Sequence, residues 1–140
     1  MRYRKMPRAA FKVKADIDCR LPQMLSQHLN SRFESSPPEK MWLFPGWTVD
    51  LRVGRDPFHV ALKESKQWPD SWVLMVTPGG RRGFLALMRG SDISPELSQI
   101  CREIHVFLTN TAGISEVRWY LTGSHTAVGT PEELPWDRAH

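Results

Sequence analysis

Apolar and polar positions change period several times along the chain, and each change marks an element. Phe11, Val13, Ala15 and Ile17 alternate with Lys12, Lys14 and Asp16, which predicts a strand with one dry face beginning near Ala9. Pro22 stands where a first helical turn begins. Met24, Leu25, His28, Leu29, Arg32 and Phe33 follow at spacings of one, three and four, predicting an amphipathic helix over 22–34. Ser35-Ser36-Pro37-Pro38 ends it, because the residue before a proline is pushed out of the helical region. Met41 to Phe44 is apolar but is broken by Pro45-Gly46, and reads as a short strand or an apolar loop over the core. Trp47, Val49, Leu51 and Val53 form a half-buried strand by alternation. Gly54-Arg55-Asp56-Pro57 turns the chain, and Phe58, Val60 and Leu62 complete a hairpin.

The stretch from Ser71 to Gly90 reads as the centre of the chain. Trp72, Leu74 and Val76 line one face of its first strand and Val73 and Met75 the other, so both faces are apolar, as in a strand inside a sheet. A turn, Pro78-Gly79-Gly80-Arg81-Arg82-Gly83, joins it to a second apolar run, predicting a buried hairpin. The clearest helix follows, with Ser94 as N-cap, Pro95 at its first position and an apolar stripe of Leu97, Ile100, Cys101, Ile104, Phe107 and Leu108. Gly113 is its natural stop, and Val117, Trp119 and Leu121 mark a last strand. The order is β-α-β-β-β-β-α-β. It predicts an α+β two-layer sandwich, a mostly antiparallel sheet of about six strands covered on one face by two helices. Without the central hairpin the order is ferredoxin-like, an analogy of pattern alone.

Length and composition fit one domain over all 140 residues, with a flexible basic arm at 1–8 and an irregular acidic tail at 122–140. No apolar run approaches the roughly 20 residues of a membrane span. The basic start has no apolar segment behind it, so no secretory leader is expected and the expected location is cytoplasmic. Cys19 and Cys101 show no metal-ligand spacing. They read as two free, buried thiols, with a single disulfide as the alternative. Charge is uneven: Arg2, Arg4, Lys5, Arg8, Lys12 and Lys14 are six of the 19 basic residues, and none of the 15 acids lies among them. The net charge of +4 therefore belongs to the N-terminal stretch rather than to a basic body.

Four sets of residues carry candidate chemistry. Gly79, Gly80, Arg81 and Arg82 offer backbone N–H groups and guanidinium forks to an anion, although a solvated hairpin turn needs the same glycines for positive φ. Arg2, Arg4, Lys5, Arg8, Lys12 and Lys14 suit a phosphate backbone, with Arg52, Arg55 and Arg89 as additions; a solubilising terminus explains them equally well. Trp42, Trp68 and Trp136 sit in loops or the tail beside or near proline, where tryptophans serve as binding anchors or fold back as lids. The histidines, His28, His59, His105, His125 and His140, form no metal motif. His125 beside Ser124 lacks an oriented base, and Glu132-Glu133 reads as a solvated pair. No catalytic residue, metal or cofactor is therefore expected. The chain reads as a non-enzymatic binding module for a protein partner, a second copy of itself included. The alternative is nucleic-acid or polyanion binding through the arm and the Arg81-Arg82 turn.

Overall fold

The computed structural model describes residues 7–41, 45–66, 70–79 and 95–121. Strand β1 (Pro7–Val13) leads through a 3-10 turn (Asp18–Arg20) into helix α1 (Leu21–Asn30). Two short strands follow, β2 (Glu34–Ser35) and β3 (Glu39–Lys40). Three long ones come next: β4 (Trp47–Val53), β5 (Asp56–Glu64) and β6 (Ser71–Pro78). Helix α2 (Pro95–Asn110) and strand β7 (Ile114–Leu121) complete the described elements. The sheet order is β2-β4-β5-β6-β1-β7, with β3 also on β4, and every pair is antiparallel. This is the antiparallel α+β sandwich that the alternation predicts. Its order departs from the ferredoxin-like one because β6 stands between β5 and β1 and pairs with both.

One face of the sheet holds the core. Ala9, Phe11 and Val13 of β1, Val49 and Leu51 of β4, Phe58, Val60 and Leu62 of β5, Trp72, Leu74 and Val76 of β6 and Trp119 of β7 are all buried there. Against them pack Leu21, Leu25 and Leu29 of α1 and the whole predicted stripe of α2. The helices cross-tie at His28. Its ring tilts on Phe107 at 5.4 Å, and its Nε2 lies 3.1 Å from the Glu103 carbonyl oxygen. Indole Nε1 of the fully buried Trp119 donates to Nδ1 of His105 at 3.0 Å.

Several boundaries differ from expectation, each for a local reason. β1 starts at Pro7 rather than near Ala9, because Arg8 already pairs with Met75 on one side and Tyr120 on the other. Helix α1 stops at Asn30 rather than 34. The Ser31 hydroxyl donates to the His28 carbonyl at 2.6 Å, and Glu34 and Ser35 are captured by Arg52 and Leu51 of β4. β6, the first strand of the expected central hairpin, forms where the pattern puts it. Over Trp72–Met75 both sides of β6 are taken, by β5 and by β1. The second apolar run and Ser94 lie outside the described residues. Cys101 is buried as expected, and burial pushes its thiol well above the ordinary range; Cys19 is exposed rather than buried. Both thiols are free.

Candidate functional site

Strand residues alternate between faces, so the side chains that miss the core form a second surface on the other side of the sheet. The register lays it out in rows. Lys63, Val73, Ala10 and Arg118 lie abreast across β5, β6, β1 and β7. In the next row stand Thr48, Ala61, Met75, Arg8 and Tyr120, and beyond it Asp50, His59 and Thr77. On the opposite flank Ser71, Lys12 and Ser115 stand in line. Both helices occupy the core side, and among the described residues no element lies over these rows.

The face has an aliphatic middle and a charged margin. Ala10, Ala61, Val73 and Met75 are half-buried by their cross-strand neighbours, whereas Lys12, Arg52, Lys63 and Arg118 are exposed. On β5, β6, β1 and β7 the strand residues of this face are Lys63, Arg8, Lys12 and Arg118 against Glu116, a net charge of +3, whereas at the β2–β4 flank Glu34, Glu39 and Asp50 oppose Arg52. The Arg8 guanidinium lies over the Tyr120 ring, 5.3 Å from its centroid. His59 donates from Nδ1 to the Asp50 carboxylate, and this pair lines a shallow recess of about 360 Å³ with Arg52 and Ser36.

A larger groove of about 590 Å³ lies where β6, β1 and β7 meet, bordered by Lys12, Asp70, Ser71, Glu116, Arg118 and Tyr120. A β-bulge shapes it. Between Ala10 and Lys12 the β1–β7 register slips, and Glu116 takes a left-handed conformation with φ +54. The extra residue brings the Glu116 carboxylate to Lys12 Nζ at 2.9 Å. The hydrogen bond and charge of Lys12, with a smaller contribution from Arg118, hold the Glu116 carboxyl below its ordinary value of 4.5. Asp70, at φ +58, is the other non-glycine residue with positive φ among the described residues, and its carbonyl accepts from Val13 N–H at 2.8 Å.

The structure brings some of the predicted site residues together and leaves others apart. Arg8 and Lys12 lie in β1 on the open face, and Lys14 is exposed just past its end. Gly79 donates its N–H to the Pro57 carbonyl at 2.9 Å, so that group serves the sheet, and a Cβ added there would stand 2.8 Å from His59 Nε2. Gly80, Arg81 and Arg82, together with Arg2, Arg4 and Lys5 and with Trp42, Trp68 and Trp136, lie outside the described residues, as do Arg89, His125 and Glu132-Glu133. Lys63, Glu116, Arg118 and Tyr120 were not singled out by the sequence. Their signal was the polar phase of strand alternation, which does not tell which strands stand side by side. Among the described residues no three metal-ligating side chains cluster, and no helix is long and apolar enough to cross a membrane. No family model matches the chain, and no curated protein or solved structure matches it significantly.

Proposed function

We propose that this chain is a protein-binding module, and that its open sheet face takes an acidic amphipathic helix of a partner. The observation behind the reading is the segregation of the face over β5, β6, β1 and β7 into an aliphatic middle and a cationic margin. That is the anatomy of a protein interface, with an apolar centre and a polar rim. Lys63 on β5 and Arg118 on β7 stand three strand spacings apart, about 14 Å. A helix about 10–12 Å across fits between them, with its acids reaching both margins. Single-stranded nucleic acid comes second, because Tyr120 is the only Phe, Tyr or Trp in the described rows and Arg8 already covers it.

The test is fluorescence anisotropy with a labelled Leu/Glu amphipathic peptide roughly 18 residues long, since shorter helices are marginal in water. Binding is expected to weaken as salt rises, and to fall about tenfold, near 1.4 kcal/mol, in the Lys63→Glu/Arg118→Glu variant. The same peptide with lysine in place of glutamate should not bind. If a labelled oligothymidylate binds and the acidic peptide does not, the polyanion reading takes its place.

A further inference from the structure

We infer that the groove between β6, β1 and β7 is a carboxylate subsite, and that Glu116 occupies the position an incoming carboxylate would take. The inference rests on the reading of the open face given above and names how that face is regulated. Lys12 holds the Glu116 carboxylate at 2.9 Å, yet both side chains are more than half exposed, at 57% and 52%. An exposed ion pair of this kind is held weakly and exchanges readily with a competing anion. Arg118 stands on the same wall with its guanidinium in no ion pair among the described residues, and it acts on Glu116 only through space. Four charges line the groove, Lys12 and Arg118 against Asp70 and Glu116, so they cancel while Glu116 is in place. Moving Glu116 aside leaves a cationic excess, a Lys and a planar Arg fork suited to a carboxylate, with the Tyr120 ring beside them.

The bulge makes the exchange local. Glu116 is the extra residue of β7, and its neighbours Ser115 and Arg118 keep their own pairings with Lys12 and Ala10. Its side chain can therefore leave Lys12 without loss of a strand partner. The resident glutamate competes with the ligand, so an acidic partner must outbid it, and weakly acidic segments are rejected.

The experiment is the same anisotropy titration on Glu116→Gln and on Glu116→Asn. Asparagine tolerates the left-handed backbone at this position and guards against a loss of the bulge. Both variants should bind the acidic peptide about three- to tenfold more tightly than the parent chain, by the removal of one competing charge. Adding Lys12→Gln should cancel most of that gain. If the parent chain binds and neither Glu116 variant binds more tightly, the subsite is wrong while the face reading stands. If neither the parent nor the variants bind, both fall.

Discussion

Trp119 shows how much one side chain can carry. It is fully buried beside Ala9 of the neighbouring strand, and its indole N–H is the donor to His105 on α2. The strand at the sheet margin and the helix above it are thereby joined by a directional bond as well as by packing. Replacing Trp119 with Phe keeps an aromatic ring but leaves the His105 Nδ1 acceptor without that donor and a space where the larger ring was. A loss of about 1–3 kcal/mol in chemical denaturation is expected. The alternation of β7 marked Trp119 as core. The histidine partner was not visible, because the donor–acceptor pair spans a helix and a strand whose docking the sequence does not state. His28 is a similar case. Its place on the apolar side of α1 is legible, whereas its position between Phe107 and Glu103 depends on where α2 lies.

At the scale of elements, the turn after α2 is set by Gly113. It holds φ +97, and its carbonyl accepts from Lys14 N–H at 2.9 Å, tying the end of β1 to the start of β7. A Cβ at this position would stand 2.9 Å from Ile17 Cδ1, so Gly113→Ala meets both backbone strain and a clash. A loss of about 1–3 kcal/mol from the strain is expected, with the clash added to it. Gly54 in the β4–β5 turn provides the control, because it has φ +64 and nothing within 4 Å of an added Cβ. Gly54→Ala should therefore cost less than Gly113→Ala, and the difference, read as two denaturation midpoints, measures the contact with Ile17. Elements with a strong period were legible: the α2 stripe, the β4–β5 hairpin and β7 all lie where the pattern put them. The end of α1 was not, because β4 captures Glu34 and Ser35, and a capture by a distant strand overrides a local helical spacing.

For the molecule as a whole, the two faces of one sheet do different work, and variants should separate them. Leu74 in β6 is fully buried under the helices, and Leu74→Ala should cost about 2–5 kcal/mol of stability. Lys63 and Arg118 on the other face are exposed, and reversing either charge should change stability by no more than about 0.5 kcal/mol. Thermal or chemical denaturation of these variants beside the peptide titration distinguishes a face kept for binding from one that merely closes the fold. A comparable stability loss from the Lys63 or Arg118 reversals would show that the open face belongs to the folding core.

The sequence by itself determined the long strands and the two helices, because period-two and period-3.6 patterns state locally how each segment divides into a dry and a wet side; the two-residue strands β2 and β3 carry no such pattern. It also determined that β6 would lie inside the sheet, since both phases of Ser71–Pro78 are apolar. Only the tertiary structure decided strand order. It set β1 between β6 and β7, although those strands lie far apart in sequence from it and from each other. That order is fixed by the competition of several strands for the same backbone partners, which no single segment records. It places Arg8 and Lys12, which the sequence suggested as part of a basic arm, beside Arg118 and Tyr120 from the other end of the described chain. Charges spread along the sequence thus become one face, because antiparallel pairing sends alternate residues of every strand to the same side.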